Sequence, residues 1–371
     1  MINLNQIQRP TLLLDKAKCL KNIDAMLARA KAADTALCPH FKTPQSRQIG
    51  EWFRERGVDK ITVSSLEMAE YFAAADWRDI TVAFPLNIRE MERVNDLASR
   101  IQLNLLIEST EVVEALDKGL KHAVHVFIKI DLGTNRSGVA ADNFEEIDTL
   151  LDLIGKAKLL TFSGFLAHAG HSYAARGEAE IMQVQFSSLE LMNRLKSRYS
   201  ATYPNLELSL GDTPCCSVAK EWPGIDELRP GNFAFYDLMQ WQIGACSLND
   251  IAVALAAPVV AKHPERNEIV LYGGGVHLSK DRLELAGKTI YGLVAKLTDK
   301  GWELPIATNY LRSVSQEHGI AVVSADFMAE IQVGDLLAIL PVHSCMTADL
   351  MGSFMDFDGQ KYDHFSGQPR N

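Results

Sequence analysis

The sequence has few cysteines, no long apolar run and a shortage of basic residues, and each of these excludes a class of protein. Its six cysteines in 371 residues show no C-x-x-C spacing, so a disulfide scaffold is excluded and reduced thiols are expected. The longest nearly unbroken apolar run, Ile251–Ala261, is about half as long as a membrane span and contains a proline. The 37 Lys and Arg residues are outnumbered by 47 Asp and Glu, and this net charge of −10 argues against a nucleic-acid partner.

The N-terminal segment lacks the features of an export signal. Residues 1–16 have no basic start, no long apolar core and no small-residue cleavage site. We therefore expect a cytoplasmic protein without a membrane partner. A hydrophobic content of 47% and a charged content of 23% are typical of a globular chain. The length indicates two domains, or one large barrel with an appendage.

Short β-rich runs alternate with helical segments through the first two-thirds of the chain. Helical periodicity is clear in Asp15–Ala33 and Glu178–Tyr199. The β-rich runs are Ala36–Cys38, Lys60–Val63, Ile80–Ala83, Gln102–Ile107, Val124–Ile130, Thr161–Ala167 and Glu207–Leu210. Seven or eight alternations at this spacing favour parallel βαβ units and a closed (β/α)8 barrel of the TIM type. An open doubly wound sheet fits the same pattern.

After Trp241 the pattern changes to β-rich runs separated by Gly, Pro and Asn, with little helical period. These runs are Ile251–Ala261, Glu268–Tyr272, Ile290–Leu297, Ile320–Ser324 and Asp335–Leu340. The sequence therefore predicts an α/β protein with an N-terminal (β/α)8 barrel over residues 1–240 and a C-terminal, mostly β domain over residues 241–371. The first ~10 residues could pack on the C-terminal domain instead.

Two kinds of segment after barrel strands carry groups suited to pyridoxal phosphate. Lys42 follows the first strand, and a lysine at the C-terminal end of a barrel strand points into the mouth where substrates bind. A desolvated amine there can form an imine with a carbonyl group. The turns Ser209–Pro214 and Arg229–Asn232 follow late strands, where barrels commonly bind phosphate. Each feature could be a surface lysine or an ordinary turn, but together they indicate an aldehyde with a phosphate, as in pyridoxal phosphate.

A histidine and a cysteine lie two residues apart near the end of the chain. His343 and Cys345 follow a β-rich run, and on an extended segment both side chains would project to the same side. Imidazole with thiolate suits zinc better than magnesium or calcium. Only two ligands are supplied, so a third must come from elsewhere, with water or substrate in an open position. Core packing of both side chains is the alternative interpretation.

Taken in order, these segments resemble the alanine-racemase-like, fold-type III pyridoxal phosphate enzymes. The nearest branch looks like the D-threonine aldolase/D-serine dehydratase family. The resemblance covers nearly the whole chain, and it depends on the order and separation of the motifs. The motifs are PHFKT from Pro39, KIDLGTNRSGV from Lys129, GFLAHAGHSY from Gly164, SLGDTP from Ser209, ELRPGNFAFYD from Glu227, SQEHG from Ser315 and PVHSCMTADLM from Pro341.

The resemblance implies a role for each matching residue of the barrel. Lys42 would hold the cofactor and act as the acid/base at Cα of the substrate. Arg136 would lie near the phenolic oxygen of the cofactor. His168 would lie against its pyridine face, with Tyr173 beside the ring nitrogen. The residues implied to line the phosphate are Gly211, Asp212, Thr213, Gly231 and Asn232.

The resemblance also implies that His343 and Cys345 bind a divalent metal, zinc or manganese, next to the β-hydroxyl of the substrate. A Lewis acid there assists loss of hydroxide or formation of an alkoxide, whereas racemisation gains nothing from it. His343 therefore joins Lys42 as a catalytic residue. In the family, H-x-D is more frequent in members that cleave Cα–Cβ, and H-x-C in dehydratases.

We therefore predict a lyase, dependent on pyridoxal phosphate and a divalent metal, that dehydrates a D-3-hydroxy amino acid such as D-serine to a 2-oxo acid and ammonia. Retro-aldol cleavage to glycine and an aldehyde is the alternative. An amino-acid racemase and a non-catalytic cofactor carrier are less favoured. The resemblance further implies a homodimer. Two departures from the family pattern concern Asp212, which would repel phosphate unless its side chain faces away, and His171, which replaces a frequent polar amide.

Overall fold

The computed structural model describes residues 4–367, which divide into two compact units. The barrel unit consists of Asp24–Lys42 and Glu51–Gly231. The β unit consists of the residues up to Ile23, Thr43–Gly50 and the residues from Asn232 onward. Within the described range, none of the helices combines the length and the apolar character needed to cross a bilayer.

The barrel unit is built on eight principal parallel strands that form a nearly closed sheet. In spatial order these strands are Ala36–Leu37, Glu227–Leu228, Glu207–Leu210, Leu160–Ala167, Val124–Asp131, Gln102–Ile107, Asp79–Pro85 and Lys60–Val63. The short strand Val139–Ala140 pairs with Val124–Asp131. A bridge between His40 and Thr62 joins the two ends of the order. The predicted TIM-type barrel is confirmed.

Helices connect successive barrel strands and bury one apolar face. The helices within the unit are Leu66–Ala73, Met91–Ala98, Thr110–Gly119, Phe144–Lys156, Glu178–Tyr199 and Thr213–Val218. The helix predicted over Glu178–Tyr199 has these bounds in the structure, and it buries Ile181, Leu189 and Met192. Two further helices, Lys16–Ala32 and Arg47–Arg54, each have residues in both units.

The eighth barrel strand is not predicted from the sequence because it is only two residues long. Glu227–Leu228 carries no alternation of apolar and polar residues that would mark a strand. The Glu227 carboxylate is buried, lies 2.7 Å from Nζ of Lys60 and also pairs with Arg229. Burial raises the pKa of Glu227, but Arg229 and Lys60 outweigh burial and lower it. This strand therefore contributes Glu227, a buried carboxylate whose charge is balanced by Lys60 and Arg229.

The β unit contains a mostly antiparallel sheet. In spatial order its strands are Glu268–Tyr272, His318–Val322, Tyr310–Val314, Gly292–Thr298, Leu336–Pro341, Val253–His263, Thr11–Leu14, Ser353–Asp356 and Lys361–Asp363. Gly301–Trp302 pairs with Gly292–Thr298, and Leu283–Leu285 pairs with Lys288–Ile290. The helices are Leu238–Ile243, Gly275–Leu278, Ala325–Glu330 and Ser344–Met351. The predicted mostly β character of the C-terminal part is confirmed.

The strand Thr11–Leu14 also belongs to this sheet. It lies antiparallel to Val253–His263 and parallel to Ser353–Asp356. Its three leucines are buried, which explains the apolar run near the start of the chain. Periodicity cannot identify a partner so distant in sequence, because register depends on contacts that form only in the folded chain. The division of domains at residue 240 stays a prediction.

Candidate active site

Lys42 follows the first barrel strand and lines a cavity at the C-terminal end of the barrel strands. All the predicted cofactor residues except Asn232 line the same cavity: Lys42, Arg136, His168, Tyr173, Gly211, Asp212, Thr213 and Gly231. His40 lines it too, and its Nδ1 accepts a hydrogen bond from the backbone N–H of Lys42 at 3.3 Å. Burial and then the charge of Lys42 lower the pKa of His40 well below its usual value, so His40 is neutral.

Arg136 is carried by a loop that Asp131 organises. The carboxylate of Asp131 accepts hydrogen bonds from the backbone N–H groups of residues 133–135 at 2.9 to 3.1 Å. Gly138 has a φ of +105°, and a Cβ there would lie 2.8 Å from the backbone nitrogen of Asp131. The aspartate thus orders the loop amides, and the glycine permits the close approach. This accounts physically for the D-x-G-x-x-R-x-G spacing that places Arg136 at the cavity.

His168 follows the strand Leu160–Ala167 as an uncharged, oriented ring. Its Nδ1 lies 2.7 Å from the carbonyl oxygen of Gly211. Because a carbonyl only accepts, Nδ1 carries the proton and Nε2 holds the lone pair. Burial and then the charge of Lys42 lower the pKa of His168 to about 3. The ring centroid of Tyr173 lies 6.1 Å from that of His168, so both aromatic rings face one part of the cavity.

The carboxylate of Asp212 caps the helix that begins at Thr213. Its Oδ1 accepts from the backbone N–H of Cys215 at 2.8 Å and from the hydroxyl of Ser172 at 2.7 Å. Burial raises the pKa of Asp212, while these hydrogen bonds lower it in part. Oδ1 of Asp212 is therefore engaged in local structure, whereas Oδ2 is buried without a hydrogen-bond partner among residues 4–367.

The turn beside Asp212 is tightly packed and contains an unsatisfied donor. A Cβ at Gly211 would lie 2.6 Å from the backbone nitrogen of Arg229, so a larger residue does not fit there. The hydroxyl of Thr213 is buried and has no hydrogen-bond partner among residues 4–367. A buried hydroxyl without a partner costs free energy, and an anionic oxygen of a bound group would satisfy it.

His343 and Cys345 lie at the start of the helix Ser344–Met351. The expectation that they share an extended segment is wrong, because the helix begins at Ser344 and His343 is its N-cap residue. The two side chains are nevertheless close enough for Cys345 to raise the pKa of His343. His343 makes no side-chain capping hydrogen bond, and Cys345 is the second residue of the helix that follows it.

The thiol of Cys345 also contacts a buried polar network. The hydroxyl of Thr43 lies 3.2 Å from Sγ of Cys345, and Nδ2 of Asn232 lies 3.5 Å from it. Asn232 also donates to Asp237 at 2.7 Å, and Asp237 accepts from the backbone N–H of Ser344 at 3.0 Å. Asn232, which the resemblance implied for the phosphate, thus directs its amide group to the H-x-C motif.

The electrostatics of His343 favour a proton when no metal is bound. Burial alone lowers the pKa of His343, but Cys345 and then Asp237 and Asp281 outweigh it and raise the pKa to about 9. A metal ion would therefore have to displace this proton. Among residues 4–367, no set of three or more His, Cys, Asp or Glu side chains is arranged to hold a metal ion. Two ligands from this chain leave positions open for water or substrate.

Comparison with protein families gives a match across both units. Residues 14–238 match the alanine racemase N-terminal domain, and residues 252–355 match a serine dehydratase domain. The first of these matches covers more than half of the chain. The chain belongs to the alanine racemase N-terminal domain family.

Several relatives share the alanine racemase-type barrel and extend over nearly the whole chain. D-serine dehydratase of Dictyostelium discoideum is 28% identical, covering 95% of this chain and 94% of its own. D-threo-3-hydroxyaspartate dehydratase of Delftia sp. strain HT23 is 29% identical, covering 92% of each chain. Its solved structure has a TM-score of 0.88 at 26% identity, covering 98% of this chain and 99% of that one. D-threonine aldolase of Arthrobacter sp. is 23% identical, covering 94% of this chain and 88% of its own.

A variant of the Delftia hydroxyaspartate dehydratase has been solved in a metal-free form. That structure has a TM-score of 0.90 and 27% identity, and it covers 98% of this chain and 99% of that one. A relative that aligns with both units of this chain therefore has a form that is described as metal-free.

Sequence reasoning missed several functional candidates in this alanine racemase-type chain. Lys129 lines the cavity, and its Nζ donates to the carbonyl oxygen of Ile130 at 2.7 Å. Burial and then Arg136 lower the pKa of Lys129 to about 8. Arg229 also lines the cavity while pairing with Glu227. A charged residue inside an otherwise apolar strand was the available signal for Lys129.

We expect Asp212→Asn to leave the affinity for pyridoxal phosphate within about twofold, because the amide oxygen can still accept from the backbone N–H of Cys215. Asp212→Ala should lower the free energy of unfolding by about 1–2 kcal/mol through loss of the cap. Urea unfolding and cofactor titration of both variants check this. Tighter cofactor binding by more than tenfold in Asp212→Asn would show that the carboxylate opposes the phosphate.

Three histidines with lowered pKa values predict a loss of stability in mild acid. The pKa values of His40 and His168 are lowered as described above, and burial lowers that of His364 to about 4. Unfolded histidine titrates near 6.5, so the unfolded chain binds more protons below that pH. We expect the contribution of these three neutral rings to stability to be complete above pH ~6.5 and to fall by about 1.4 kcal/mol per pH unit for each histidine as pH decreases.

Urea unfolding of the cofactor-free protein from neutral pH down to about pH 5 measures this slope. His364→Gln is the matched variant, because it removes one titrating group outside the cavity. Its slope should be smaller by the contribution of one histidine. Stability that stays constant as the pH falls below 6.5 would contradict the neutral state of these rings.

Proposed function

We propose that this chain is a lyase, dependent on pyridoxal phosphate and a divalent metal, that dehydrates a D-3-hydroxy amino acid such as D-serine to the 2-oxo acid and ammonia. The observation that carries the proposal is the contact between His343 and Cys345, braced by Thr43, in a chain whose barrel presents Lys42 in a cavity. Relatives named as dehydratases of D-serine and D-threo-3-hydroxyaspartate align with nearly the whole chain and support it.

The cavity residues fit pyridoxal phosphate. Lys42 supplies an amine for an aldehyde, and Arg136 supplies a cation for a phenolate oxygen. Gly211 lines the cavity without a side chain, and the buried hydroxyl of Thr213 has no hydrogen-bond partner among residues 4–367. An uncharged His168 can pack against an aromatic ring without adding charge. These groups match the aldehyde, phenol, phosphate and ring of the cofactor.

When bound, pyridoxal phosphate supplies an electron-withdrawing ring that stabilises negative charge at Cα of an amino acid. Lys42 would hold the cofactor and move the proton at Cα. His40, which accepts from the backbone N–H of Lys42, restrains the segment that carries this amine. Because His40 and His168 are neutral, neither one adds a positive charge beside Lys42. In this proposal Lys42 alone transfers the proton, and the neutral rings of His40 and His168 support the site.

His343 and Cys345 fit a divalent metal ion with nitrogen and sulfur ligands, for which zinc is preferred and manganese is the second choice. Such an ion supplies Lewis acidity for a β-hydroxyl, the leaving group of a dehydration. Thr43 and Asn232 support the sulfur, and Asp237 fixes the backbone between the two ligands through Ser344. A racemase or a cofactor carrier would have no use for this pair.

Retro-aldol cleavage is the second candidate function. The relative named D-threonine aldolase supports it, since it aligns over 94% of this chain. Both reactions use an amine and a Lewis acid, and they differ in the bond that is broken. The cysteine of the H-x-C motif favours dehydration, as in the family resemblance.

We also propose a cytoplasmic homodimer. Sedimentation of the active enzyme as a monomer would contradict the dimer.

The test is a panel of both enantiomers of serine and threonine, with D-threo-3-hydroxyaspartate. Each is incubated with the purified protein with and without EDTA, and 2-oxo acid and glycine are assayed separately. We expect 2-oxo acid from the D-substrates only, lost with EDTA and restored by zinc or manganese. Product from L-substrates, or activity indifferent to EDTA with no bound metal detected, would contradict the proposal.

A further inference from the structure

A carboxylate outside the H-x-C motif contacts the histidine of that motif. Oδ2 of Asp281 lies 3.1 Å from Nδ1 of His343. We propose that Asp281 is a positioning residue of the metal site, which holds the proton of His343 on Nδ1 and leaves Nε2 as the atom that binds the metal. This inference rests on the proposed function only in requiring that His343 and Cys345 bind a metal ion.

The assignment of the two ring nitrogens follows from the chemistry of the contact. An ionised carboxylate only accepts hydrogen bonds, so Nδ1 of His343 must be the donor to Asp281. A neutral imidazole with its proton on Nδ1 has its lone pair on Nε2. A carboxylate on the second nitrogen fixes both the tautomer and the ring orientation of a histidine ligand, and it raises the basicity of that ligand.

Asp281 is itself held in place by Ser279. The hydroxyl of Ser279 donates to Oδ2 of Asp281 at 3.0 Å and accepts from the backbone N–H of Asp281 at 3.1 Å. Ser279 has a φ of +70°, a region that residues with a side chain rarely adopt. Such a conformation persists where surrounding contacts determine it. Both contacts of the Ser279 hydroxyl involve Asp281, so Ser279, which also ends the helix Gly275–Leu278, orients this carboxylate.

The remaining supports of the motif do not orient the histidine ring. Asp237 binds the backbone N–H of Ser344, and Thr43 contacts the thiol of Cys345. The side chain of His343 is 33% exposed and that of Asp281 38%, so a simple ion pair between them would contribute little to stability. The contribution of Asp281 is therefore expected in metal affinity more than in folding.

Asp281 is not a third ligand in this arrangement. Across the described residues, no three His, Cys, Asp or Glu side chains form a group that could hold one metal ion. The contact with Nδ1 also occupies Oδ2, the same oxygen that accepts from Ser279. Asp281 is therefore assigned to act through His343, and its loss should weaken metal binding without abolishing it.

The experiment measures zinc affinity of the full chain with pyridoxal phosphate bound, by competition with a chromogenic chelator. We expect Asp281→Asn to weaken zinc binding by about 10- to 100-fold. His343→Ala should abolish binding at the same zinc concentrations. Asp299→Asn, which alters an exposed carboxylate of the same unit, is the matched control and should leave the affinity unchanged. The absorption spectrum of the cobalt-loaded protein should also change in Asp281→Asn and not in the control.

Ser279→Gly provides a second variant, because it relieves the positive φ while removing the hydroxyl from Asp281. We expect an unchanged urea midpoint and zinc binding weakened several-fold. If wild-type protein binds no zinc, the proposed function fails at its metal site and the inference fails with it. If wild-type protein binds zinc and Asp281→Asn matches it in affinity and cobalt spectrum, the inference alone is overturned. Should Asp281→Asn fail to fold, unchanged affinity in Ser279→Gly overturns it.

Discussion

Replacing Lys42 with alanine is expected to abolish the absorbance band of the bound cofactor and to lower kcat/KM by about 10⁴-fold or more. Lys42 is the amine that the first barrel strand presents in the cavity, and it would serve both as the attachment point and as the acid/base at Cα. Absorbance scans of the purified variant and steady-state assays with D-serine measure both effects. Borohydride reduction followed by peptide mass spectrometry should place the cofactor on the peptide that contains Lys42.

Lys129 offers the matched control for this experiment, since it is a second amine in the same cavity. Its Nζ is engaged with the carbonyl oxygen of Ile130, and the side chain is 6% exposed. We therefore expect Lys129→Ala to retain a covalently attached cofactor. A cofactor band that survives Lys42→Ala and disappears in Lys129→Ala would assign the attachment to Lys129 and contradict our account.

Replacing Cys345 with alanine is expected to remove the metal ion and to lower kcat/KM by roughly 10²- to 10⁴-fold, since a Lewis acid contributes several kcal/mol to such a reaction. The cofactor band should remain, because Cys345 does not line the cavity of Lys42. EDTA should have no further effect on this variant, whereas it should reduce wild-type activity to a similar level. Metal content, absorbance and activity measured on one preparation check all three points.

Cys246→Ala controls for the loss of a thiol from the same unit, and it should behave as wild type. Cys345→Asp keeps a metal-binding group at this position and should retain metal. A Cys345→Ala protein with full, EDTA-sensitive activity would show that the H-x-C motif is not the metal site. Equal losses in Cys246→Ala and Cys345→Ala would indicate a general effect of thiol removal.

Much of the barrel could be predicted from the sequence because its strands and helices have strong, local periodicity. The helix Glu178–Tyr199 shows this most clearly, with matching bounds in the sequence pattern and the structure. Glu227–Leu228 could not be predicted, since two residues cannot show alternation. Thr11–Leu14 could be seen as an apolar run, but its pairing with Val253–His263 is set by contacts distant in sequence.

The candidate site was predictable where its residues follow strands or belong to contiguous motifs. Lys42 and His168 are of this kind, and the structure places both at one cavity. Asp281 was not predictable, because nothing in the local sequence connects it with His343 62 positions away. The start of the helix at Ser344 was misjudged because a capping histidine has the extended backbone of the strand before it. Side-chain contacts between separate elements therefore account for most of what the sequence alone does not reveal.

The most direct test of the central claim is the product formed from D-threonine, on which dehydration and retro-aldol cleavage diverge. The purified, zinc-loaded enzyme is incubated with D-threonine, and 2-oxobutanoate, ammonia, glycine and acetaldehyde are quantified in the same sample. Our account predicts equal amounts of 2-oxobutanoate and ammonia, with no glycine above the level of the Lys42→Ala control. Glycine and acetaldehyde in equal amounts, without the oxo acid, would contradict it and identify the chain as an aldolase.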